Sequence, residues 1–207
     1  MIAAFRSGPI GKDRLEAFTD GVVAIVITLL ALELRVPEGL HGDAGIWKAL
    51  AQTVPAAVAW VVSFLFVLVL WVNHHFFFAS LRHADRGLLW LNGLFLLCVT
   101  ATPFPTALAG AYPGSTPPLF LLSVSMGATS LTFSIMRFYA SFVSKLTREY
   151  LTTSDLKRAM AMSAIAPALY ALSAFMAFVW KPGSLILLAL VPTLFFLRSA
   201  ALPPIEA

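Results

Sequence analysis

Asp20 lies about one turn inside an apolar run, in the stretch RLEAFTDGVVAIVITLLALEL, Arg14 to Leu34. An ionised side chain inside a membrane-scale apolar segment costs several kcal/mol unless it is paired or close to the interface. Two roles suit a carboxylate there. It can belong to a buried polar network, or it can carry a proton or bind an ion. Arg14 sits about 120° from Asp20 around a continuous helix, so the two are no direct pair and each needs a partner on another helix. Asp13 and Glu16 have the spacing of a capping box, which predicts a helix that starts before the apolar part. Thr28 places a hydroxyl near the middle of the run. Its ordinary use is a bond back to a carbonyl one turn earlier.

A second polar group closes another apolar run, in WVNHHFFF. Trp71, Asn73, His74 and His75 suit a membrane interface, where an anchoring role is ordinary. A metal site from His74, His75 and His83 is not expected, because adjacent helical histidines diverge by about 100° and no strong ligand spacing is present. Arg137, in SIMRFYASF, stands near the end of an apolar run, where its head is expected to snorkel toward headgroups. One arginine is too few for a voltage sensor. Ala159, Ser163 and Ala166 are small enough to permit close helix contact. The phosphate-cradling glycine loop, the H-E-x-x-H pair and the G-x-S-x-G elbow are all missing from the sequence, so no catalytic residue is assigned.

These residues must be positioned by elements that live in lipid. Of 207 residues, 59% are hydrophobic and 12% charged, against about 25% charged in a soluble domain. The mean hydropathy is +0.87. The net charge of +4 is better read as topology signals than as a nucleic-acid surface. Cys98 is the single cysteine, so it has no internal disulfide partner. The first apolar run is longer than the roughly 7–15 residues of a signal core, which argues against a cleaved leader.

Six apolar spans are predicted, at about 17–36, 50–73, 87–111, 118–139, 159–180 and 183–200. Together they form a single all-α, polytopic domain over 1–207. Pro103 and Pro105 should kink or break the third span, and Pro167 can kink the fifth. Arg6, Lys12, Arg14, Arg82, Arg86, Lys145, Arg148, Lys157, Arg158 and Arg198 fall on one side, and only Arg35, Lys48 and Lys181 on the other. Ten against three predicts both termini in the cytoplasm.

Around the first helix, taking Ile25 as zero and about 100° per residue, Leu29 falls near +40°, Leu32 near −20°, Gly21 near −40° and Thr28 near −60°. Asp20 falls near −140°, outside that arc. Lipid contact or ordinary packing is the simple use of such a face.

The motif RLEAFTD followed by GVVAIVITLLALELRVP resembles the R-x-x-x-F-S-D signature that opens the first helix of the transmembrane protein 175 family, the endolysosomal-type potassium channels. Thr19 stands where the family usually has serine, which keeps the hydroxyl. The resemblance implies a homotetramer whose first helices line the pore, with K+ as the permeant ion, no cofactor and no carbonyl-lined filter. It implies an apolar constriction and gate at Ile25, Leu29 and Leu32, and a selectivity role for Thr28. It also implies a structural network from Arg14, Phe18, Thr19 and Asp20, joined by a histidine near Trp71 and Asn73, with His74 the better candidate.

The sequence thus predicts a multi-pass protein of the cell membrane, whose partners are its own copies, lipid and K+. A proton-coupled secondary transporter using Asp20 is the alternative, although no inverted three-span repeat is visible. A noncatalytic membrane scaffold is a third reading.

Overall fold

A computed structural model describes residues 11–35 and 42–200, with side chains through Leu197. Arg6, Val36 at the end of the first predicted span, and the side chain of Arg198 lie outside the described residues. The chain runs through α1 (Lys12–Ala31), α2 (Gly42–Ala79), α3 (Arg86–Ala101), α4 (Pro103–Ala111), α5 (Thr116–Phe138), a π-helical turn at Tyr139–Val143, α6 (Thr153–Val179) and α7 (Lys181–Ala200). The third predicted span divides at Thr102–Pro103 into α3 and α4, where the proline cannot donate to the preceding turn. By contrast, α6 continues through Pro167 as one helix.

Among the described residues, four segments are long and apolar enough to cross a membrane: Gly42–Ala79, Arg86–Ala111, Thr116–Val143 and Thr153–Val179. α7 is apolar but shorter, and α1 carries Arg14, Glu16 and Asp20 within its length. α2 has 38 residues, or about 57 Å at 1.5 Å per residue, well beyond the span predicted at 50–73. α1 does start before its apolar part, at Lys12, but not through a capping box. Its N-cap is Gly11, without a side-chain cap bond. Among the described residues a capping box stands at α6, where Thr152 and Asp155 satisfy each other's backbone N–H groups.

α5 packs against α6, α6 against α7, α2 against α4 and α7, and α3 against α5, while α1 lies on α2 and α3. Phenylalanines fill the centre. Phe77, Phe95 and Phe133 touch at ring distances of 5.8 Å, and Phe78 is fully buried. Hydroxyl pairs tie the helices where lipid offers no other partner. Ser63 and Thr106 (2.7 Å) join α2 to α4. Ser123 and Ser173 (2.8 Å) join α5 to α6, and Ser173 and Ser184 (3.1 Å) continue to α7. Ser134 and Ser163 (2.9 Å) form a second α5–α6 tie. Such bonds contribute on the order of 0.6–2 kcal/mol each in a membrane. Small residues let α2 and α4 approach closely: a Cβ on Gly110 would lie 2.8 Å from the Cα of Ala56.

Two loops close one end of the bundle. Leu81 and Thr147 form an isolated antiparallel bridge, and Arg82 bonds Glu149 at 2.8 Å. Asp85 organises this end. It caps α3 by accepting from the Leu88 N–H, and its other oxygen accepts from Tyr139 and Ser144.

Candidate functional site

α1 presents two faces. Leu15, Thr19, Val23, Val26 and Leu30 are buried against the bundle. Their spacing of three and four residues is that of a single helical stripe. The opposite face, with Ile25, Thr28, Leu29 and Leu32, is exposed in the single chain. Leu32 stands just past the helix end, as its C-cap residue. The backbone makes this division by periodicity alone, since β-branched residues and leucines occur on both faces.

Thr28 donates its hydroxyl proton to the Ile25 carbonyl at 2.8 Å. A hydroxyl has one proton and two lone pairs, so the bond leaves the oxygen's acceptor side available on the exposed face.

The buried stripe is anchored by polar bonds of two kinds. Asn92 of α3 donates from Nδ2 to Thr19 Oγ1 at 2.9 Å, and its Oδ1 lies 3.0 Å from His74 Nε2. Because that oxygen only accepts, the His74 Nε2 carries the proton. The His74 ring also stacks on Phe78 at 4.1 Å and on Phe95 at 5.7 Å. All three polar residues of this relay are buried. Separately, Trp71 Nε1 donates to Asp20 Oδ1 at 2.8 Å, nearer the surface. Lys12 reaches the Phe78 carbonyl at 3.3 Å and ties the start of α1 to the end of α2.

Thus the structure brings Thr19, Asp20, Trp71 and His74 together around the first turns of α1. It does not bring in the other three residues expected there. Arg14 and Phe18 are exposed, so neither packs into the network among the described residues. Asn73 turns back on its own helix and donates to the Val69 carbonyl at 2.8 Å. His75 stacks on Trp71 at 6.3 Å instead of joining the relay. Among the described residues no group of three or more His, Cys, Asp or Glu side chains is placed to hold a metal ion.

Asn92, the centre of the relay, escaped sequence reading. It is 73 positions from Thr19 and 18 from His74. Its one signal is a lone amide within the apolar segment LLWLNGLF, which needs a partner in lipid. Arg137 also departs from expectation. It does not snorkel outward. Its guanidinium lies over the Phe77 and Phe133 rings, at 5.3 and 5.2 Å from their centroids. A helical side chain leans toward its own N-terminus, which carries this one back into the bundle.

Comparison with known proteins matches this architecture. The family model described as endosomal/lysosomal potassium channel TMEM175 matches residues 14–103, the stretch that holds α1, the relay and the Trp71–Asp20 bond. A potassium channel of Streptomyces collinus is 48% identical over 99 residues, which cover 48% of this chain and 48% of that protein. The human endosomal/lysosomal proton channel TMEM175 is 39% identical over 104 residues, covering 46% of this chain and 20% of that protein. The aligned region thus spans about half the length of the bacterial relative and a fifth of the human one. A crystal structure of a lysosomal potassium-selective channel TMEM175 homolog from Chamaesiphon minutus superposes with a TM-score of 0.80 at 31% identity, over 91% of this chain and 98% of that one. With its fold, its first-helix motif and nearly the whole of that solved relative matched, the chain belongs to the TMEM175 family.

Proposed function

We propose that the chain is a potassium-permeable cation channel of the cell membrane. Copies of the chain, four by the family resemblance, surround a pore lined by α1. The observation that carries this reading is the division of α1: its back is fixed to the bundle by Thr19 and Asp20, while Ile25, Thr28, Leu29 and Leu32 face outward, exposed among the described residues. The likeness to the potassium-selective homolog adds support.

In this reading Ile25, Leu29 and Leu32 form apolar rings that close the path by dewetting, since a narrow apolar neck does not hold continuous water. Thr28 offers hydroxyl oxygens to a partly dehydrated cation, with its proton already given to the Ile25 carbonyl. K+ moves down its electrochemical gradient and no cofactor takes part. Thr19, Asp20, Trp71 and His74 hold α1 in place, and Arg14 and Phe18, exposed on its first half, are left to meet a neighbouring copy.

The test is current through purified protein in a planar bilayer, with K+ on one side and Na+ on the other, for wild type and Leu29→Ala. The expected result is an ohmic current with a K+-favouring reversal potential, changed in conductance or open probability by the substitution. Because vertebrate relatives are named proton channels, a pH gradient is added in a second recording. Absence of current, together with uptake into vesicles that depends on a proton gradient, would replace the channel by the transporter.

A further inference from the structure

Two cavities meet at Arg137. One, of about 130 Å³, lies among α2, α5, α6 and α7 and is walled largely by apolar side chains such as Phe66, Leu70, Phe133 and Val191. The other, of about 370 Å³, lies on the side of the closing loops and includes Ser80, Ser141 and Thr147. Asn73, Arg137, Ala159 and Phe195 line both.

Arg137 forms no ion pair and no hydrogen bond among the described residues; its Nε is buried without an acceptor. The two phenylalanine rings below it supply cation–π attraction but cannot accept from a guanidinium edge as an oxyanion does. Two further buried polar atoms without a partner, Ser130 Oγ and Tyr170 OH, belong to residues that line the same apolar cavity. Ser134 and Ser163 bond across antiparallel α5 and α6. Side chains lean toward the N-terminus of their own helix, so Arg137 on α5 and Tyr170 on α6 lean toward each other. The result is a guanidinium and two hydroxyls, all able to donate and none with a hydrogen-bond partner among the described residues, beside an apolar chamber. Asp155, on the wall of the loop-side cavity, makes no ion pair with Arg137 among the described residues; its Oδ2 accepts from the Thr152 N–H and hydroxyl.

We propose that this cleft binds an oxyanion-headed amphiphile. The oxyanion sits at Arg137, within reach of the Ser130 and Tyr170 hydroxyls. An acyl chain occupies the apolar chamber and the remaining head atoms fill the loop-side chamber. A phospholipid phosphodiester and a fatty carboxylate share this chemistry. The site is independent of the α1 face, so it stands or falls apart from the channel reading.

The experiment is native mass spectrometry of the full chain, delipidated in a neutral detergent. It is titrated in separate arms with phosphatidylglycerol, phosphatidylcholine, oleate and inorganic phosphate. The expected result is a saturable adduct per chain with phosphatidylglycerol or oleate, at least tenfold tighter than with phosphatidylcholine. Whichever of the first two binds identifies the source. Arg137→Gln should weaken it at least tenfold and Tyr170→Phe several-fold, while Arg137→Lys retains part of it. In case the charge variants do not fold, wild type is also cross-linked with a photoreactive analogue of the amphiphile that binds. Labelled peptides from α5 and α6 are expected. Equal binding of phosphatidylcholine, phosphate binding as tight as that of the amphiphiles, unchanged binding in folded Arg137→Gln, or labels confined to other helices would each overturn the proposal.

Discussion

Asn92 shows how one amide can decide the position of a helix. It accepts from His74 and donates to Thr19, and all three are buried. Asn92→Ala leaves the His74 N–H without an acceptor and removes a donor from Thr19. Each buried polar group left unmade costs about 1–3 kcal/mol, so thermal unfolding in detergent should show a loss of that order or more. Asn73→Ala is the control, because Asn73 bonds only a carbonyl of its own helix; its effect should stay within about 0.5 kcal/mol. Thr28→Val keeps the shape of the side chain and removes the oxygen. If Thr28 coordinates the passing ion, bi-ionic reversal potentials should show a changed K+/Na+ permeability ratio with little change in unfolding temperature. An unaltered ratio would remove Thr28 from the selectivity role. At this scale the sequence was legible where a rule is local. The Thr28 back-bond follows from a hydroxyl on a helix. Asn92 and the inward turn of Arg137 were not, because each depends on what distant helices place beside the residue.

At the scale of elements, Asp85 links α3 to the π-helical turn that follows α5. Partial burial raises its proton affinity, but hydrogen bonds from the Leu88 N–H, Ser144, Tyr139 and the Gly87 N–H outweigh it and hold the carboxyl below its ordinary value. A carboxyl whose folded value is lowered stabilises the fold above its unfolded value, about 4. That contribution disappears as pH falls through the lower folded value. The unfolding temperature of wild type should therefore drop as pH falls below about 4, and part of the drop should be absent in Asp85→Asn, which starts lower at neutral pH. Identical pH slopes in the two proteins would rule this out. The six spans and the break before Pro103 were readable from apolar length and from proline's missing donor. The extra turns of α2 were not. Gly42–Ala49 is of mixed polarity, and a hydropathy window ends where the helix continues. The Leu81–Thr147 bridge is likewise a non-local pairing that no short-range signal announces.

For the whole molecule, the question is what covers the outward face of α1. Ile25 and Leu32 are 59% and 71% exposed, and lipid or other copies of the chain can meet them. In a Cys98→Ser background, Leu32→Cys should form disulfide-linked copies under mild oxidation if the first helices surround a common axis. Leu172→Cys, on α6 and 43% exposed, should remain single. Cross-linking at Leu172 but not Leu32, read on a nonreducing gel, would place the contact elsewhere and dismiss the α1-lined pore. Composition and basic-residue counts spoke for a multi-pass protein from the start. The arrangement of copies had no such signature, because an exposed apolar face reads alike whether lipid or protein lies against it.

The anchoring of α1 has a mechanical consequence. A helix held only by greasy contacts could spin about its own axis like a roller. Here such a spin would tear Thr19 from Asn92 and Asp20 from Trp71 at the same time. The cheaper motion leaves these bonds intact and swings α1 together with α2 and α3 as one blade. In the proposed pore, any widening at Leu29 is then the displacement of an iris leaf, and its stiffness is set at the far side of the blade by the hydroxyl rivet Ser63–Thr106, which holds α2 to α4.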